Sequence, residues 1–238
     1  MRAMNSDLIV IPTYNERDNV RPLVESILAA APGADIMLVD DGSPDGTAEY
    51  AERLFGRLPN FHLLRRSGPR GLGCSYIDAY RTALAGRWTR IVQMDADLSH
   101  DPCGIPVLLE SLAVADVVVG SRYCLGGVVS NWSMRRRIAS RISNAYMRTL
   151  LHLPVRDATS GYRSYTRSAL ERIDVGRIRS RGFAFQVEAI YFAHRSGLRI
   201  VEVPIVFTDR RRGRSKVTLP VIVEMVLLPW RLGWQAAR

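Results

Sequence analysis

A chain of 238 residues, 47% hydrophobic and 24% charged, is long enough to bury a substantial core and suits one globular α/β domain. Its three cysteines, Cys74, Cys103 and Cys124, form no CxxC pair and have no histidine ladder nearby, which speaks against a disulfide framework or a zinc site and for a reducing compartment. The net charge of +10 is uneven: residues 1–120 carry 11 Arg against 16 acidic groups, and residues 121–238 carry 22 basic against 7 acidic groups. The basic half suits a polyanionic partner, whether nucleic acid, a phosphate-bearing substrate or an anionic membrane surface. Only Lys216 among the 33 basic residues is a lysine, so part of the arginine excess reads as compositional habit.

In chain order, residues 7–12 (DLIVIP) read as a buried strand. Asn15 or Asp18 is placed to cap a helix over about 19–31, which stops at Pro32-Gly33. Residues 34–43 form a second strand ending in acidic residues, and SPDGT turns into a helix through Leu54. A third strand spans 61–66, and GPRGLG turns into a helix over 74–85. A fourth strand spans 89–97, a short helix 102–112, and a fifth strand 115–123. Such alternation predicts a mostly parallel, doubly wound sheet with helices on both faces. Ligands of these sheets bind beyond the carboxyl ends of the strands. Here those ends read PTYNE, DDGSPDG, DAD and GSRY. No GxGxxG follows the first strand and no GxxxxGK[ST] occurs, so neither a dinucleotide fingerprint nor a P-loop is supported.

From residue 128 the pattern changes. Ile138, Ile142, Tyr146 and Leu150 form a helical stripe backed by arginines over 135–153. DATSGYRSY reads as a polar loop, 182–197 as a helix, and 198–207 as a strand that Pro204 confines to an edge or a bulge. DRRRGRSKV is a cationic loop, and the tail from 217 is apolar but carries Glu224, Arg231 and two prolines, a poor spanning helix. The apolar run in the first 16 residues is too short for a signal peptide.

The stretch IVQMDADLSHDP (91–102) sets two aspartates one residue apart at a strand end. If extended, Asp95 and Asp97 face the same side and need a cation between them. Oxygen ligands favour Mg²⁺ or Mn²⁺, which bind one or two carboxylates and take further oxygens from substrate phosphates. Ser99 offers a third oxygen, Asp40-Asp41 a second acidic pair for a base or ribose, and Arg122 a guanidinium for phosphate. The edge thus suits a nucleotide diphosphate and a metal.

The motifs IPTYNERDN, VDDGSPDGT, GLG, MDADLSH, GSRY, NW, DATSGYR, FQVE, EVPI and the spaced R-R-R-G-R-S-K resemble those of the polyprenol (dolichol) phosphate mannose synthases, family 2 glycosyltransferases of GT-A fold, from about residue 8 to 230. The resemblance implies transfer of mannose from GDP-mannose to a polyprenyl monophosphate, with inversion and a divalent metal. It implies a single catalytic domain over 1–238, with a nucleotide-sugar half (1–123), an acceptor half (124–238) and a C-terminal amphipathic helical edge. By matching positions, Pro12, Tyr14 and Glu16 would line the guanosine pocket, and Val39 and Asp41 would lie beside base and ribose. Asp95, Ala96 and Asp97 would meet diphosphate and metal, Asp97 as the firmest ligand. Arg122, Arg210 and Lys216 would contact phosphates, and Arg136 the acceptor phosphate. Ser99 stands where some relatives have glutamine. Arg214 replaces a frequent glutamate, and Arg211-Arg212 make that motif unusually basic. The alternative donor is UDP-glucose.

Several residues carry plainer readings. Tyr14 could pack over a loop, Glu188 could be a helix-surface charge or face the acceptor, and Asp157 with Ser160-Gly161 could form an ordinary turn or an acceptor-side loop. Asp45 and Thr47 read as helix caps, the arginine runs at 135–137 and 210–212 as phosphate contacts or solvated faces, and His100 as solvated or structural. Trp132, Trp230 and Trp234 suit either a core or a membrane interface. A lipid acceptor requires contact with a bilayer, so the stripe at 138–151 and the tail at 217–234 are the expected lipid-facing edge. The expectation is peripheral attachment on the cytoplasmic face, with or without a separate membrane-anchoring protein. No RNP, helix-turn-helix or OB-like signature supports a nucleic-acid partner.

Overall fold

The computed structural model describes residues 6–209 and 219–236. The apolar run at residues 8–11 is buried on both faces and forms the middle of a sheet. It lies in β1 (Asp7–Thr13), which pairs in parallel with β2 (Asp35–Asp40) on one side and β4 (Arg90–Gln93) on the other. β3 (Phe61–Arg65) adds in parallel beyond β2. Alternation along β1 sends Leu8 and Val10 into one core cluster and Ile9 and Ile11 into the other. The helices α1 (Arg17–Ala30), α2 (Thr47–Phe55) and α4 (Ile105–Ser111) pack into the second cluster, whereas α3 (Leu72–Ala85) packs into the first.

Beyond β4 come β7 (Arg163–Thr166), β5 (Val117–Ser121) and β8 (Ile200–Pro204), giving the order β3-β2-β1-β4-β7-β5-β8. β7 runs antiparallel to both neighbours, where the sequence reads a polar loop. No apolar alternation marks it, because its buried side chains include polar ones that bond backbone carbonyls of neighbouring segments. Arg163 donates to the carbonyls of Gln186 (2.6 Å) and Ala158 (2.7 Å), and Ser164 to that of Leu108 (2.8 Å). The expected strand over 198–207 divides after Pro204. β8 takes the edge of the main sheet, and β9 (Val206–Thr208) leaves to pair with β6 (Val128–Ser130) in a second, two-stranded sheet.

α5 (Met134–Leu151), α6 (Arg167–Ile173), α7 (Ala184–Arg195) and α8 (Leu219–Ala236) complete the fold. The expected surface or acceptor-facing Glu188 is fully buried on α7 instead. Its carboxylate accepts from the backbone N–H groups of Arg179 (3.1 Å) and Ser180 (2.8 Å) and from Arg231 of α8 (2.9 Å). That anchor and the buried Leu228 and Leu232 seat α8 on the core. The opposite side of α8 exposes Ile222, Val223, Val226, Leu227 and Trp230, and the neighbouring α5 exposes Met134, Ile138 and Ile142. No helix among the described residues is long and apolar enough to cross a membrane.

Candidate functional site

The strand order turns at β1/β4, and a crevice opens beyond the carboxyl ends of the strands there. A cavity of about 380 Å³ occupies it, lined by Pro12, Tyr14 and Glu16 after β1, Asp41 after β2, and Asp95, Ala96 and Asp97 after β4. That volume is within the range of small-molecule sites. Gly71 and Leu72 at the start of α3, Phe183 before α7 and Val221 of α8 close the remaining sides.

The two acidic pairs divide their labour in ways that spacing alone does not reveal. Asp40 organises the turn: its carboxylate accepts from the hydroxyls of Ser43 (2.6 Å) and Thr13 (3.2 Å) and from the Ser43 N–H (2.9 Å). Asp41 faces the cavity. Arg66, whose side chain is almost fully buried, forms an ion pair with it and also with Asp78 (2.7 Å). The Gly71 N–H donates to the other Asp41 oxygen at 2.7 Å. Gly71 needs its positive φ of 145°, and a Cβ there would stand 2.4 Å from the Arg181 carbonyl oxygen. Arg66 is missed by the sequence reading, since an arginine at a strand end carries no signal of its partner. Arg70 is missed for the same reason. It stacks on the Tyr14 ring at 5.1 Å and donates to the Tyr14 hydroxyl at 3.1 Å.

β4 ends at Gln93, so Asp95 and Asp97 lie in the following loop rather than on one face of a strand. Leu98, with φ 61°, turns that loop, and the Ser99 N–H donates to Asp97 Oδ1 at 3.1 Å. Asp95 sits deeper. The Tyr76 hydroxyl donates to its Oδ1 at 3.4 Å, and burial together with the Asp95 charge pushes Tyr76 well above the ordinary tyrosine range, so it remains a donor. Gly161 backs the same carboxylate: a Cβ there would lie 2.7 Å from Asp95 Oδ2. The Gly161 carbonyl is fixed from below by Gln93 (3.0 Å), whose amide also binds Gln186 (2.9 Å), Tyr80 and Tyr165. Gly161→Ala is therefore expected to displace Asp95 at a stability cost of about 1–3 kcal/mol, measurable by thermal melting.

The acidic loop fits a hard divalent cation. Asp95 and Asp97 both line the cavity, and the buried Ser99 hydroxyl beside them has no hydrogen-bond partner. No group of three or more His, Cys, Asp or Glu side chains suited to a metal exists among the described residues. Two carboxylates and a hydroxyl suit an ion that completes its shell with phosphate oxygens, as Mg²⁺ and Mn²⁺ do.

Five expected contacts among the described residues, Val39, Ser99, Arg122, Arg136 and Ser160, do not line the cavity. Val39 lies within β2, fully buried in the first core cluster as a packing residue. Ser160 spends its hydroxyl on structure, donating to the Gly120 carbonyl (2.6 Å) and accepting from the Tyr162 N–H (3.2 Å). Arg122 is not an open phosphate-binding cation but a buried one. Its Nε and Nη2 donate to the two oxygens of Asp157, each at 2.7 Å, and its guanidinium lies over Tyr123, Trp132 and Phe207 at 5.3–5.5 Å. Arg136 opens α5 beside this cluster, 4.0 Å over the Trp132 ring and 2.9 Å from Asp209. Arg210, Arg211, Arg212, Arg214 and Lys216 lie outside the described residues. Asn15 and Asp18 do not cap α1, which begins after Glu16 with no side-chain cap. Asp45 instead ties α2 to α1, accepting from Thr47 (3.0 Å) and from the Arg17 N–H (3.3 Å).

A seven-stranded, mostly parallel sheet with an acidic loop at its switch point defines the GT-A class of α/β transferases. Within that class the chain belongs to glycosyl transferase family 2, whose model matches residues 8–174. It is 41% identical over 220 residues to the polyprenol monophosphomannose synthase of Mycolicibacterium smegmatis, covering 92% of this chain and 83% of that one. It is 40% identical over 235 residues to the undecaprenyl-phosphate mannosyltransferase of Micrococcus luteus, covering 97% of each. Among solved structures it is similar to glucosyl-3-phosphoglycerate synthase from Mycobacterium tuberculosis in complex with Mn²⁺, uridine-diphosphate and glucosyl-3-phosphoglycerate. The TM-score is 0.69 at 18% identity, over 96% of this chain and 81% of that one, which is a likeness of fold.

Proposed function

We propose that this chain is a metal-dependent, inverting mannosyltransferase that moves mannose from GDP-mannose to a polyprenyl monophosphate. The observation that carries the reading is the cavity where Asp41, Asp95 and Asp97 converge at the switch point. Two relatives at about 40% identity, named for mannose transfer to polyprenyl phosphates, support it. Pro12, Tyr14, Glu16 and Asp41 receive the nucleoside, while Asp95, Ala96, Asp97 and Ser99 meet diphosphate and metal. A bound Mg²⁺ or Mn²⁺ supplies Lewis-acid stabilisation of the leaving diphosphate. The nucleophile is a phosphate monoester oxygen, whose second pKa of about 6 leaves it largely ionised at neutral pH. The chain therefore needs cations that align two anions rather than a strong general base. Arg136 takes the acceptor phosphate, with Arg210 and Lys216 assigned to phosphates as well. Arg122, held by Asp157, supports this face from behind.

The exposed apolar side chains of α5 and α8, interleaved on α5 with Arg135, Arg137, Arg141 and Arg148, suit the acyl boundary of an anionic bilayer. The protein thus works peripherally, on the cytoplasmic face. One experiment tests the whole reading: transfer of radiolabel from GDP-mannose or UDP-glucose to polyprenyl phosphate in anionic or neutral vesicles, with and without EDTA. Product is expected from GDP-mannose alone, more of it on anionic vesicles, and its formation is lost with EDTA and restored by added Mg²⁺ or Mn²⁺. Turnover from UDP-glucose only, or undiminished turnover in EDTA, would refute it.

A further inference from the structure

The loop that carries Asp95 and Asp97 ends at His100, which is only 2% exposed. Its ring packs on Tyr162 and Phe207, with centroids 4.9 and 5.2 Å apart. Neither ring nitrogen makes a hydrogen bond, although both are buried. Packing alone does not call for an imidazole here, since a phenyl ring would fill the same aromatic niche without burying unpaired nitrogens. The polar group that faces it is Asp95, whose Oδ2 stands 3.5 Å from His100 Nε2.

The backbone anchors the His100 end of that approach. His100 bridges to Phe207 of β9, and the Thr208 N–H donates to the Ser99 carbonyl at 3.2 Å, so the loop's end is stitched to the small sheet. On the far side of Asp95, the Tyr76 hydroxyl approaches Oδ1 at 3.4 Å, and Gly161 closes the third side. The Tyr76 hydroxyl and an imidazole N–H are both donors suited to a carboxylate oxygen. Placed on two sides of one carboxylate, they would fix its rotation.

We propose that His100 is a positioning residue for the metal site: its Nε2–H, 3.5 Å from Asp95 Oδ2 here, closes to a hydrogen bond when the divalent ion and diphosphate draw the loop together, and so fixes the orientation in which Asp95 meets the ion. The inference rests on the reading of Asp95 as a metal contact. Catalytic hydrogen bonds that are long in the free protein commonly tighten in this way, and partners behind a metal ligand typically govern affinity by 10- to 100-fold.

The test measures Mn²⁺ affinity by electron paramagnetic resonance of free Mn²⁺, with the full chain in saturating GDP, alongside melting temperature without metal. His100→Phe preserves the packing and removes the donor; it is expected to bind Mn²⁺ about tenfold more weakly at an unchanged melting temperature. His100→Gln and His100→Met, similar to each other in volume, keep and remove a donor respectively. Gln is expected within about threefold of wild type and Met about tenfold weaker, a contrast that holds even if the Phe protein does not fold. Equal Mn²⁺ affinity of the Gln and Met proteins would overturn the inference while leaving the metal reading intact. Failure of the wild-type protein to bind Mn²⁺ with GDP would overturn both.

Discussion

Asp97→Asn is expected to lower turnover by about 10³-fold, with the melting temperature within about 2 °C of wild type. The asparagine side-chain oxygen still accepts from the Ser99 N–H, the 3.1 Å bond that shapes the loop, so the backbone keeps its course. What disappears is one negative charge on a partly exposed side chain that lines the cavity. A substitution of this kind, away from the core, seldom changes stability by more than about 0.5 kcal/mol. The loss falls on transition-state stabilisation. A metal acting as Lewis acid on a departing diphosphate supplies several kcal/mol, and about 4 kcal/mol corresponds to three decades in rate. The check is steady-state transfer from GDP-mannose at several Mn²⁺ concentrations. The Asn protein is expected to need more metal and to stay slow when saturated. Wild-type turnover by the Asn protein would remove Asp97 from the chemistry.

The sheet and its site were legible to different depths. Continuous apolar runs such as residues 8–11 and 117–119 declare parallel strands buried on both faces, and turn residues between them declare the crossovers. The strand ends then locate the cavity, because topology alone sends ligands there. Pro12, Tyr14, Glu16, Asp41 and Asp95–Asp97 are all found around it. Hidden from the sequence were the elements whose burial is polar. β7 contains Arg163 and Ser164, both inaccessible, and nothing in RSYT predicts that a buried arginine will bond the carbonyls of Ala158 and Gln186. Pairing partners were equally hidden. That Asp40 serves a turn while Asp41 serves the cavity depends on Ser43 of the same turn and on Arg66 and Gly71 of the β3–α3 loop. Arg122 looked like a phosphate contact because it follows a strand. Its assignment changes once a loop 35 residues later places a carboxylate against it.

That pair supplies the largest expected effect on stability. Asp157→Ala is expected to cost about 3–5 kcal/mol, because it leaves the Arg122 guanidinium buried without its counter-ion. For a chain of this size the melting temperature should fall by about 10 °C. Four donors currently converge on the two carboxylate oxygens: the Arg122 backbone N–H (3.0 Å), its Nε and Nη2, and the Thr159 hydroxyl (3.2 Å). Burial alone would raise the carboxyl's pKa, but the Arg122 charge and these hydrogen bonds outweigh it and hold Asp157 below its ordinary value of 3.8. A carboxyl depressed in the folded state contributes stability that is complete above its unfolded value and is lost as pH falls through the folded one. The stability gap between wild type and Asp157→Ala should therefore be flat from neutral pH down to about 5, and narrow only below 3.8. Urea unfolding across that range measures it, and a gap that closed near neutrality would mean the pair is not ionised as described. The double replacement Arg122→Met with Asp157→Leu should recover most of the loss, since it buries no charge. Its kinetics then separate scaffold from chemistry. Arg122 also underlies the Trp132 ring on which Arg136 stacks, so the stable double variant should still show a raised KM for polyprenyl phosphate, with that for GDP-mannose little changed. Wild-type KM for both substrates would confine the Arg122–Asp157 pair to stability alone.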